Sequence, residues 1–230
     1  LPRDHATALM TLATNPAAFW RANGIPMTAA TDSQFDPSNA HGGGGIWLYW
    51  LTLIGEGFVM HGAPHHAAEL LRRFLAMQAA VLAQSGRLPE FYNSDTPAGA
   101  GEPGHLAGSA PLRLAHAVFG IQIVDAARVY AGGVFAWNAP VTITQHGVRV
   151  TRSADRGTQI EFASGHTVTL PPDSPAQWVI DPQPIAAAAP VMVAAPPVYP
   201  TDGSGTPGRV LVQIEVEPDA PKSPPEAPSV

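Results

Sequence analysis

The run Ile46–Met60, IWLYWLTLIGEGFVM, carries a single charge, Glu56, and is otherwise almost wholly apolar. Such a segment has to leave water. Broken by Thr52, Gly55 and Gly57, it falls short of the ~20 consecutive apolar residues that span a bilayer as a helix. A helix without a polar face belongs inside a protein, so the sequence predicts a helix buried on every side. Ala63-Pro64 turns the chain. The following segment, HHAAELLRRFLAMQAAVLAQSG, puts Leu70, Leu71, Phe74, Leu75 and Leu82 on one stripe, with Gly86 placed to end it. The two segments read as a helical hairpin with an inner and an outer member.

The rest of the chain divides around this hairpin. Before it, Asp4–Thr14 has helical spacing, and Asn15-Pro16 is a cap-and-N1 pair able to restart a helix. After it come a loop over 87–108 and a helix near 110–119 that Ser109 can cap. Residues 132–182 alternate in strand fashion, with His146-Gly147, Asp155-Arg156-Gly157 and Ser164-Gly165 as turns. They predict a small antiparallel β-domain, one half of a sandwich. Residues 183–230 form a Pro/Ala-rich tail or linker in which Arg209–Glu217 is the one strand-like stretch. The fold expected is mainly α over residues 1–131, then the β-domain, then the tail.

Composition removes several functions. Only 13% of residues are charged, about half the usual share. The net charge is −6 with no basic cluster, which argues against a nucleic-acid partner. There is no cysteine, hence no disulfide and no Cys-based zinc site. His61, His65 and Glu69 have metal-like spacing, but Pro64 interrupts the helix between them. No metal or cofactor is expected. The start, LPRDHAT, lacks the apolar core of a leader peptide. Low charge and the proline-rich tail point towards a bacterial envelope or extracellular setting.

Five pieces in order carry a resemblance: NPAAFWRANGIPM (15–27), GGGGIW (42–47), EGFVMHG (56–62), AAELLRRFL (67–75) and PEFYNSDTPAGAGEPG (89–104). Their order and spacing resemble the C-terminal part of the six-hairpin α/α-toroid glycosidases, the group of the trehalases and mannosyl-oligosaccharide glucosidase. Glycines stand where that family has an aromatic-Arg-Gly-Pro segment before Trp47, and AGSAPL (107–112) has no tryptophan. The resemblance implies a partial α/α toroid built of helical hairpins. It also implies a hydrolase for α-linked glucosides or related oligosaccharides. A partial toroid would need further hairpins from a longer parent chain, or self-association.

Glycoside hydrolysis by inversion uses one carboxyl group as acid and another as base for the attacking water. The resemblance gives the base to Glu90, two residues before Tyr92. Phe91, Tyr92 and Trp47 are then candidates to stack on a sugar ring, and Gly44 and Gly45 to let a ligand approach the backbone closely. Asp32, Asp36, Asp95 and Glu102 are further loop carboxylates, none on a matching acid motif. Glu56 reads as structural, paired with Arg72 or Arg73. The alternatives are a non-catalytic glycan-binding or scaffold protein, and an interaction module using the tail as a spacer.

Overall fold

A computed structural model describes residues 2–39, 43–105, 111–172 and 174–183. They belong to the unit Leu1–Ala188; a second unit, Ala189–Val230, lies outside the described residues. So do the expected Ser109 cap, Gly42 and the strand-like 209–217.

Among the described residues the chain forms four helices: α1 (Arg3–Ala13), α2 (Leu48–Met60), α3 (Pro64–Ser85) and α4 (Leu112–Phe119). α1 is tied internally by Thr7, Thr11 and Thr14, whose hydroxyls donate to the carbonyls of Arg3, Thr7 and Met10. Asn15-Pro16 does not restart a helix. The N–H groups of Ala18, Phe19 and Trp20 all converge on the Asn15 carbonyl, closing a single turn. α3 begins on Pro64, where its missing N–H has no partner to lose, and ends on Gly86 at φ 68. Leu51, Phe58, Leu70, Leu71, Phe74 and Leu114 form the helical core. Each such side chain contributes about 1.5–3 kcal/mol on full burial.

The all-round burial expected for Ile46–Met60 is corrected. Leu48, Leu51, Thr52, Gly55 and Phe58 face inward, but Tyr49 is 60% and Met60 81% exposed. Gly55 selects the buried face. A β-carbon there would lie 2.4 Å from Leu114 Cδ1, so α2 and α4 meet at contact distance only through a glycine.

Three antiparallel sheets account for the strands. β1 (Phe91–Tyr92) pairs with β2 (Gly99–Ala100). β3 (Ile121–Asp125), β4 (Arg128–Ala131) and β9 (Gln177–Ile180) form a second sheet in the order β3-β4-β9. β5 (Val141–Gln145), β6 (Val148–Ser153), β7 (Gly157–Glu161) and β8 (Thr167–Leu170) form a four-stranded meander. His146 at φ 52 and Gly147 at φ 74 make the β5–β6 turn, whose two positive φ values match the twist of a hairpin. The second sheet and the meander share one core. Ile121, Ile123, Val129 and Val179 pack with Val148, Val150, Ile160 and Phe162.

This architecture overturns both the mainly-α fold and the partial α/α toroid. Among the described residues there are four helices and three antiparallel sheets, and α2–α3 is an isolated helical hairpin, not one of a ring. The largest departure is over 120–131, expected as helical. Gly120 leaves the helix at φ 59. Ile121 and Ile123, then Val129 and Ala131, alternate inward with outward Gln122, Val124, Arg128 and Tyr130. That period of two satisfies a sheet face and leaves no helical stripe.

One side chain joins these layers. Arg152 on β6 is 1% exposed. Its Nη1 donates to the carbonyls of Phe119 (2.7 Å), Gly132 (2.8 Å) and Gly120 (3.3 Å), and its Nη2 to that of Gly133. The guanidinium lies 5.1 Å from the centre of the Phe135 ring. It thus ends α4 with a positive charge at the carbonyl pole of the helix and fixes the exit of β4. Among the described residues no carboxylate pairs with it, and burial draws its pKa below the ordinary guanidinium value.

Candidate functional site

The segment 43–47 and the loop 89–102 are brought together by a two-way bridge. The Ile46 N–H donates to the Tyr92 carbonyl at 2.8 Å, and the Tyr92 N–H returns to Ile46 at 3.1 Å. Trp47 and Phe91 then lie parallel, with ring centroids 6.2 Å apart and planes at 11°. Every residue singled out in the sequence, Gly44, Gly45, Trp47, Glu90, Phe91 and Tyr92, falls in or beside this bridge.

Their individual environments differ. Tyr92 is fully buried, its hydroxyl accepting from Gln78 Nε2 at 2.9 Å and its ring edge-on to Phe74. Burial raises its pKa. It serves the core and has no face for a ligand. Phe91 is also buried and backs Trp47, which is half-buried. Gly44 is buried, and a β-carbon on it would stand 2.3 Å from the Phe35 ring. The closely approaching group is therefore Phe35. Gly44 and Gly45 donate to the Asp36 and Asn39 carbonyls, closing the loop on itself.

Glu90 is half-buried on the rim of this cluster. Its Oε2 accepts from the Glu102 N–H at 3.3 Å. Two glycines allow that closure. A β-carbon at Gly99 would meet Pro89 at 2.1 Å, and one at Gly101, φ 81, would meet Glu90 Oε2 and Phe91 at 2.6 Å. The PAGAGEPG stretch therefore folds back over 89–91, and Glu102 reaches Glu90 because of it. The rest of the loop is pinned from outside. Asn93 Oδ1 accepts from the N–H groups of Asp95 and Thr96, Asn23 Nδ2 donates to the Asn93 and Thr96 carbonyls, and Arg21 grips Asp95 in a two-bond fork.

Several other acids have structural partners. Glu56 pairs with Arg113, not with Arg72 or Arg73, because α4 and not α3 passes its side of α2. Glu69 is held by Arg72 and Arg73. Asp32 and Asp36 close turns, accepting from the N–H groups of Gln34 and Ser38. Asp125 and Asp155 pair with Arg128 and Arg156. Among the described residues, Glu90 has no arginine or lysine within ion-pair distance. His61 lies beyond the end of α2 and His65 within α3, while the two arginines occupy Glu69.

Concavities also lie elsewhere. A groove of about 500 Å³ between α1 and α2 is lined by Leu9, Met10, Ile25, Trp50, Ile54 and Phe58, with His61 its lone titratable lining group among the described residues. A cleft of about 960 Å³ lies where the ends of α2 and α4 face the outer side of β3 and β4. The sequence reading missed this cleft, because Gln122 and Tyr130 sit in the stretch taken as helix. The inward-outward alternation of 121–131 was the available signal.

No family model matches the chain, and no curated protein matches it either. The resemblance to six-hairpin glycosidases thus has support neither from the fold nor from these comparisons.

Proposed function

We infer that the chain binds oligosaccharides at the rim that carries Trp47 and Glu90. The observation that carries this reading is the state of Glu90: a carboxylate oriented by a backbone N–H, engaged by no cation among the described residues, beside a half-buried indole. A carboxylate of that kind accepts hydrogen bonds from sugar hydroxyls, and an indole face covers the apolar C–H side of a pyranose ring. Saccharide sites combine the two chemistries, an apolar surface with a few placed polar groups.

A second reading, hydrolysis of α-linked glucosides by inversion, is favoured by Glu102. Its N–H contacts Glu90, so two carboxyl groups share one loop. In this reading Glu90 is the general base. It takes a proton from water as the water attacks the anomeric carbon, while a carboxylic acid protonates the departing glycosidic oxygen.

Calorimetric titration of the full chain with maltotriose and trehalose tests both readings. Binding weakened roughly tenfold by Trp47→Ala supports the first. Failure of both sugars to bind, or equal binding by Trp47→Ala and Glu90→Gln, refutes it. Glucose release that falls about 10²–10⁴-fold in Glu90→Gln with binding retained supports the second reading. Binding without release leaves a glycan-binding protein.

A further inference from the structure

No residue of the Trp47–Glu90 rim lines the cleft between the helical layer and the outer face of β3-β4, and its chemistry differs from the rim's. Its volume, about 960 Å³, is at the upper end of the ~300–1,000 Å³ typical of small-molecule sites. Polar groups enter it from several elements: Glu56 from α2, His65 from α3, Arg113 and His116 from α4, Gln122 and Tyr130 from the second sheet, and Gln145 from β5. Apolar side chains, among them Val59, Leu112 and Val134, lie between them.

The charges in this cleft cancel. Glu56 and Arg113 are its only formally charged side chains among the described lining residues, and they are joined in a two-bond fork of 2.8 and 2.7 Å. A free anion would face Glu56 and a free cation Arg113, so neither is favoured. What remains is a dense, neutral set of donors and acceptors. The Gln122 amide and the Tyr130 hydroxyl each offer both roles. The His116 Nδ1 lies 2.8 Å from the Ile121 carbonyl. That carbonyl can only accept, so Nδ1 carries the proton and donates to it. Tyr130 also presents aromatic surface and is in ring contact with the exposed Trp178, centroids 5.2 Å apart.

The wall behind these groups is fixed. Gly120, Gly132 and Gly133 line the cleft, and each gives its carbonyl to the buried Arg152. A site whose wall is already tied down loses little entropy when a ligand arrives.

We propose that this cleft is a binding site for a neutral polyhydroxylated ligand, an oligosaccharide, received by Tyr130 with the Gln122 amide and the Glu56–Arg113 pair. The hydroxyls of such a ligand match paired donors and acceptors without bringing a charge, and its C–H faces match the Tyr130 ring and the aliphatic floor. The site stands independently of the Trp47–Glu90 reading, and either can fail alone.

The test is amide chemical-shift mapping of the full chain during titration with maltotetraose and, separately, cellotetraose. Inorganic phosphate and acetate serve as charged comparators. The expected result is shifts clustered at Gln122, Tyr130, Gly132 and Gly133 with at least one of the two sugars. Tyr130→Ala should weaken that response roughly tenfold, and Trp47→Ala should leave it unchanged. Gln122→Ala, a change at an exposed strand position, guards against a folding defect in the tyrosine variant and is expected to weaken the same response. The proposal is overturned if neither sugar shifts these amides. It is equally overturned if the shifts survive both Tyr130→Ala and Gln122→Ala, or if phosphate or acetate moves these amides and the sugars do not.

Discussion

Replacing Arg152 with methionine keeps a long apolar stem in place and removes the guanidinium. Four carbonyls then lose a donor. The contact to Gly132 is buried, and an orphaned carbonyl there costs about 1–3 kcal/mol. The contacts to Phe119, Gly120 and Gly133 are part-buried, where water can replace the donor and the loss is about 0.5–1 kcal/mol each. Those losses come to about 2.5–6 kcal/mol. Against them, methionine needs no desolvation of a charge, which returns about 1–2 kcal/mol. The expected net loss is about 3 kcal/mol, or roughly 6–12 °C in Tm for a folded unit of this size. Urea and thermal denaturation monitored by circular dichroism measure it. Arg152→Lys keeps the charge on a single point that cannot reach all four carbonyls, so it should fall between wild type and methionine. A methionine variant within about 1 kcal/mol of wild type would refute the reasoning, since the carbonyls would then be satisfied without the fork.

Two other substitutions probe the packing and the charge pairs. Gly55→Ala gains about 1 kcal/mol of helix propensity but drives a methyl to within 2.4–3.3 Å of three carbons of the fully buried Leu114. Overpacking of about 1–3 kcal/mol should make the variant less stable, and a double-mutant cycle with Leu114→Ala should show strong non-additivity by urea denaturation. Glu69 is held at a pKa of about 2, chiefly by the Arg72 hydrogen bond and then by Arg73, against an opposing effect of burial. A carboxylate depressed below its unfolded value of 4.5 contributes stability that is fully present above that pH and is lost as pH falls towards 2. Stability curves of wild type and Glu69→Gln should therefore run apart above about pH 5 and converge between about pH 4.5 and 2. Curves that stay parallel through that window would contradict the assignment.

Legibility followed the contrast between apolar and polar positions. α3 mixes leucines with arginines and glutamate, so its stripe and its Gly86 stop were readable. The His146-Gly147 hairpin was readable because strands of period two flank a turn pair. α2 was not, since nearly every position is apolar and the pattern cannot say which face is covered. That choice was made by Gly55 against Leu114, a contact between residues far apart in the chain. Residues 121–131 were misread because two four- to five-residue strands beside a helix end look like more helix until their alternation is counted. In the rim, Glu90 and Trp47 were singled out by motif, and the same motif drew in Tyr92, which faces Gln78 and Phe74 in the core. Gly44 was taken for ligand approach and proves to admit Phe35. Arg152 left no trace in the sequence: an arginine in an alternating strand reads as an outward residue until the carbonyls around it are known.

The order of the second sheet bears on how the chain assembles. β4 pairs with β9, Arg128 opposite Ile180, and the whole meander from Val141 to Leu170 is strung between them. β3-β4 and the meander hairpins close through short turns and can form early and independently. β9 can dock only after its long excursion has been gathered in, and the entropy of closing that loop is lost before its ladder bonds are gained. A meander already folded draws the ends of the excursion together and shortens the search. The chain thus acquires a sequence of events in time: local hairpins first, then the returning strand that seals the shared core.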